Sequence, residues 1–168
     1  EVLRMEIGKT LTGESIYMPE DLRQAIEDAQ EAREFVHHSP LQYFPRGCCE
    51  VASDLLAEYL QREGYETYGV FGVWRDYDTK DIDQHEWLVL CDDRNIIIDI
   101  TGDQFISNPR FDKLKKHCVP VYVGEIDEMH RKFKIVDPHR DAGICSGTEY
   151  SIQSLNHLFE KILKHLQL

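Results

Sequence analysis

The sequence predicts an α+β fold in which helices pack on a mostly antiparallel sheet. Two apolar stripes at helical spacing come first, between residues 19 and 64. The period then shifts to that of strands between residues 66 and 123, and one more helical stripe closes the chain. The 168 residues are 42% hydrophobic and 30% charged, which suits one folded domain spanning 1–168 and is too apolar for a disordered chain.

The helical N-terminal part covers 1–64. Leu22, Ile26, Ala29, Ala32, Phe35 and Val36 recur at helical spacing from Pro19, with acids in the first turn and Pro40 marking the end. A breaker run, Tyr43 to Gly47, separates this helix from a second. In the second, Val51, Ala52, Leu55, Leu56, Tyr59 and Leu60 form a wide apolar face, and Gly64 supplies the stop. The sheet is expected over 66–123, with strands at 67–74, 85–91, 96–100 and 119–123. Residues 75–83 form an acidic loop that gates a site or simply connects two strands. Asp92 to Asn95 is a tight turn, so the second and third strands pair as a hairpin. A C-terminal helix is expected over 151–166, turning Ile152, Leu155, Leu158, Phe159, Ile162 and Leu163 inward.

Composition removes several classes of function. The formal net charge is −12, with 31 acidic against 19 basic residues. Nucleic-acid binding draws on phosphate neutralisation, and anionic membranes recruit basic segments, so neither partner is expected. No run of about 18 apolar residues is present to span a bilayer. The five cysteines are odd in number and include an adjacent pair with no CxxC spacing, which points to reduced thiols in the cytoplasm. The chain opens on Glu1 rather than Met, which suits a piece of a longer protein, such as a toxin or effector module delivered into a target cell. His37, His38, His117, Cys118, His130, His139 and Cys145 match no structural zinc spacing, and neither a metal nor another cofactor is expected.

Three short motifs carry the chemistry. Gly47-Cys48-Cys49 lies where a loop turns into a helix, and unpaired N–H groups at a helix start favour a thiolate. Read alone, such a cysteine is more often a small buried apolar residue. His85-Glu86-Trp87 opens one strand and Asp99-Ile100-Thr101 ends the next. If the hairpin pairs across the Asp92–Asn95 turn, His85 and Asp99 become cross-strand neighbours with β-carbons roughly 5 Å apart. The carboxylate then fixes the imidazole tautomer and stabilises the imidazolium.

Taken together, Gly-x-Cys opening a helix, His-x-Trp on a strand and Asp-x-Thr on the next resemble the transglutaminase-like branch of the papain-like cysteine enzymes. The matching residues are Gly47 and Cys49, His85 and Trp87, and Asp99 and Thr101. The resemblance covers about a third of the chain. It implies a papain-like core, with the nucleophile helix packed on an antiparallel sheet. It also implies Cys49 as nucleophile, His85 as general base and acid, and Asp99 as the orienting acid. Gly47, Ala52 and Ser53 favour Cys49 in this role, with Cys48 as the alternative nucleophile. The oxyanion donors are the N–H of Cys49 and the side chain of Gln42 or Gln84. Trp87 is expected beneath the site as core packing.

The expected reaction is acyl transfer from an amide of a peptide or protein substrate through a thioester, making the protein a protease, a glutamine deamidase or a transglutaminase. Glu50 departs from the family pattern, because its charge disfavours a neighbouring thiolate. The alternative is therefore a catalytically inactive domain of the same fold that binds a protein or peptide partner in the old cleft.

Overall fold

The computed structural model describes residues 18–146 and 150–166, so residues 1–17 of the helical N-terminal part lie outside it. Helix α1 spans Pro19–Glu31 and α2 spans Cys49–Gln61. Strands β1 (Thr67–Arg75), β2 (Ile82–Leu90) and β3 (Ile97–Asp99) follow. Two 3-10 segments come next, Gly102–Phe105 and Pro109–His117. Strand β4 (Tyr122–Gly124), the short helix α3 (Glu128–Arg131), β5 (Lys134–Arg140) and helix α4 (Ile152–Leu163) complete the described chain. The five strands form one antiparallel sheet in the order β4-β3-β2-β1-β5. The architecture is therefore α+β, and the sheet runs beyond residue 123 to Arg140.

That fifth strand was hidden by its composition. Lys134 to Arg140 carries Pro138 and a mostly exposed surface, so it lacks the alternation of a half-buried strand. It lies at the sheet edge, where an exposed strand with irregular pairing to β1 is tolerated.

The helix α1 stops at Glu31, five residues before Val36. Arg33 adopts φ 57°, which breaks the helix, and Val36 ends 67% exposed. Helix α2 has the expected boundaries. Gly47, at φ 65°, makes the turn into it, and Gly64, at φ 86°, makes the turn out. Its Leu55, Leu56, Tyr59 and Leu60 are at most 1% exposed, each worth about 1.5–3 kcal/mol of burial. In α4 the residues Leu155, Leu158, Phe159 and Ile162 face inward, whereas Ile152 at the first turn is 47% exposed.

The sheet separates two apolar layers. On one side Leu88, Leu90, Ile98 and Ile100 pack with α1, α2 and α4. On the other, Val70, Trp87, Val89 and Ile97 pack with Phe105, Phe111, Leu114, Met129 and Phe133. Both faces are covered, which explains why β2 is buried without interruption from His85 to Leu90.

Candidate functional site

Strands β2 and β3 pair through Leu88 with Ile98 and Val89 with Ile97. Continuing that register sets Asp99 opposite Trp87, so His85 and Asp99 are diagonal neighbours and not the directly opposed pair expected from the hairpin. The two still meet, because an imidazole and a carboxylate together span the diagonal. His85 Nε2 lies 2.7 Å from Asp99 Oδ2, and both side chains are buried. Asp99 Oδ1 accepts from the Thr101 backbone N–H at 2.9 Å and the Thr101 hydroxyl at 3.3 Å. The spacing Asp-x-Thr therefore has a mechanical role, since the threonine fixes the carboxylate rotamer.

With Nε2–H donated to Asp99, Nδ1 of His85 is the accepting nitrogen. The Gln104 side-chain nitrogen faces it at 3.3 Å. Gln104 also lines a cleft of about 230 Å³ together with Pro40, Cys49, Glu50, Phe71, Gln84 and Tyr150. Cys49 is half-buried at the first residue of α2 and reaches the backbone of Glu86, the residue after His85 in β2. The Gln104 amide is thus the group shared by His85 and the Cys49 cleft.

Burial raises the Cys49 thiol to about 12, with the negative charges of Glu86 and Asp99 adding to the effect. The backbone N–H groups of Glu86 and Glu50 pull it back only in part. Desolvation outweighs the helix start, so the thiol is protonated at neutral pH and the activation expected from its position is not realised at rest. Cys48 is buried, and its thiol donates to the carbonyls of Pro40 at 2.9 Å and Arg46 at 3.1 Å. That places Cys48 in the core and Cys49 in the cleft.

Gln84 lines the cleft, but Gln42 does not. The Gln42 side chain accepts from the His38 N–H at 3.0 Å and meets His37 Nδ1 at 3.2 Å. Trp87 is 1% exposed and lies beneath His85, with ring centroids 5.6 Å apart.

The sequence singles out neither Gln104 nor Asp127, and it presents His130 only as a rejected metal ligand. Gln104 sits in Asp103-Gln104-Phe105 with no motif of its own, although it follows Asp-x-Thr by only three residues. His130 Nε2 lies 2.7 Å from the same Asp99 oxygen that receives His85. Its Nδ1 lies 2.6 Å from Asp127 Oδ1. Asp127 caps α3 and also accepts the backbone N–H of His130 at 2.8 Å. An Asp127-x-x-His130 cap was visible as a helix start, but nothing local tied it to Asp99, 31 residues away.

The surrounding frame is ionic. Arg23 of α1 donates to the Ile100 carbonyl at 2.6 Å and to Asp103 at 2.7 and 2.8 Å, which fastens the turn that carries Gln104. Arg140 of β5 bonds Glu86 at 2.6 and 2.7 Å and Asp54 of α2 at 2.8 Å. One guanidinium therefore joins the cysteine helix to the histidine strand.

His85, Asp99 and His130 bring three ligand atoms within 4.8 Å of one another. Bonds of about 2.0–2.1 Å to a tetrahedral zinc would set its ligand atoms about 3.3 Å apart. The two 2.7 Å separations are instead hydrogen-bond lengths, so the residues fit a hydrogen-bonded array better than a coordination sphere.

The fold and site together define an α+β domain with a cysteine-lined cleft backed by a buried His-Asp-His array. No family model, curated protein or solved structure matches the chain. Among the described residues, no helix is long and apolar enough to cross a membrane.

Proposed function

We propose that the protein is a cysteine-dependent acyl-transfer enzyme of the transglutaminase-like, papain-like type, acting on amide carbonyls of peptides or proteins. The observation that carries this reading is the Gln104 bridge. It links Nδ1 of His85, oriented by Asp99, to the cleft that holds the Cys49 thiol.

Because the thiol is protonated at rest, deprotonation accompanies attack. The substrate amide enters the cleft and takes over the Gln104 hydrogen bond, which frees Nδ1. The S–C bond forms as Nδ1 accepts the thiol proton, and the carbonyl electrons move to oxygen. The N–H of Cys49 and the amide side chains of Gln84 and Gln104 are the donors available to that oxyanion. The C–N bond then breaks as His85 returns the proton to the leaving amine, leaving a thioester on Cys49. Water or an amine attacks the thioester as His85 takes the incoming proton, and the S–C bond then breaks as that proton returns to the Cys49 sulfur. The first acceptor gives hydrolysis or deamidation, the second gives cross-linking.

A test uses 4-nitrophenyl acetate as acyl donor and a blocked Gln-Gly dipeptide with hydroxylamine as amide donor. The expected result is an acetyl adduct on Cys49 by peptide mass spectrometry, with hydroxamate formation lost in Cys49→Ala and His85→Ala. Equal acylation of all five cysteines, unchanged by His85→Ala, would sink the proposal.

The raised thiol and the Glu50 carboxylate on the cleft wall favour a second reading, a peptide-binding domain without turnover. Saturable binding of the dipeptide with no thioester would support it.

A further inference from the structure

His130 lies outside the proposed chemistry, yet it is as buried as His85 and makes two of the shortest contacts of the array. An ionised carboxylate only accepts hydrogen bonds. Nε2 of His130 faces Asp99 at 2.7 Å and Nδ1 faces Asp127 at 2.6 Å, so both ring nitrogens must carry a proton to satisfy the geometry. Asp99 has no room for a proton of its own. Its Oδ2 already receives two imidazole N–H groups and its Oδ1 receives the two Thr101 donors.

We infer that His130 is an imidazolium at neutral pH, a positioning residue that holds Asp99 ionised and shares that carboxylate with His85. With Asp99 Oδ2 held between the two rings, His85 keeps Nε2 toward the carboxylate and Nδ1 toward Gln104. The use of that nitrogen on Cys49 rests on the proposed acyl transfer, whereas the charge on His130 does not.

The surroundings agree with a buried cation. Asp127 and Asp99 raise His130 to about 9 against the opposing effect of burial. The Trp87 and His130 rings meet in a T-shape with centroids 4.8 Å apart, and Tyr122 stacks at 5.8 Å. From the Pro109–His117 segment, His117 Nδ1 reaches Asp127 Oδ2 at 3.7 Å. The neighbouring Cys118 thiol is pushed up to about 11 by burial first, and then by the charges of Asp127, Asp103 and Asp99. His85 completes the set, with its ring centroid 5.6 Å away.

The test is side-chain ¹⁵N NMR of the whole protein between about pH 5 and pH 8, with His130→Gln to assign the signals. The expected spectrum shows His130 protonated on both nitrogens throughout. A His130 that titrates with an ordinary midpoint, or one seen as a neutral tautomer at neutral pH, overturns the inference. In His130→Gln the carboxylate loses one of its two imidazole partners, so the Nε2–H signal of His85 should shift. Asp127→Asn, which leaves the ring in place, covers the case in which the glutamine variant does not fold, and should lower the His130 midpoint. An unmoved His85 Nε2–H signal in a folded His130→Gln variant also overturns the inference. If His130 is doubly protonated as expected while Cys49 is never acylated, the acyl-transfer reading fails and the imidazolium stands.

Discussion

Asp99 Oδ2 lies 2.7 Å from His85 Nε2 although the two residues are diagonal across the β2–β3 ladder. A diagonal pair stays in contact only if both rotamers are fixed. Thr101 fixes the carboxylate from one side and His130 from the other, while Trp87, Phe105 and Phe133 enclose the imidazole. The carboxylate is held well below its usual range by the two histidines, against burial that would raise it.

Replacing Asp99 with Asn should damage stability and acylation together. The variant removes the acceptor of two imidazoles and leaves the buried His130 cation short of a counter-charge. Breaking such a buried pair costs about 3–5 kcal/mol. Urea unfolding should show that loss. Cys49 acetylation should fall at least about a hundredfold, because His85 loses its tautomer.

Stability should form a plateau in pH with two falling limbs. The folded pKa of Asp99 is depressed, so its contribution is present above the unfolded value of about 3.9 and is lost as pH falls further. The folded pKa of His130 is raised to about 9. Its contribution is complete below the unfolded value of about 6.5 and is lost as pH rises through about 9. The alkaline limb should amount to something on the order of 3 kcal/mol. Thermal melts across pH should show it in the parent protein and not in His130→Gln; an unchanged limb would assign it elsewhere.

The two adjacent cysteines should separate cleanly. Cys49→Ala removes acylation, whereas Cys48→Ala keeps it and loses about 1 kcal/mol with the hydrogen bonds to Pro40 and Arg46. Direct alkylation by iodoacetamide should be slow at both positions near neutral pH, because burial raises each thiol to about 12. Peptide mapping should find Cys91 and Cys145, both exposed, labelled first.

Arg140→Ala should cost about 3–5 kcal/mol, since it strips the guanidinium from the buried carboxylates of Glu86 and Asp54. Arg140→Met restores bulk but no charge, so it should recover little. A smaller loss than about 1 kcal/mol in urea unfolding would mean that water replaces the guanidinium at this site.

Local signals determined a good part of this protein. The apolar stripes of α1, α2 and α4, the glycine turns around α2 and the strand period of β1 and β2 are all written in neighbouring residues. So is the proximity of His85 to Asp99, because one short turn joins their strands. What the tertiary structure decided depends on contacts between distant segments. Lys134 to Arg140 became a strand only because β1 offered an edge, and its Arg140 reaches Asp54 86 residues away. His130 of α3 meets Asp99 across 31 residues of chain, and Gln104 reaches the cleft from a turn that Arg23 fastens. The state of the Cys49 thiol was decided in the same way. A helix start favours the anion, but desolvation by the whole packed domain outweighs it, and burial is not a property of any local stretch of sequence.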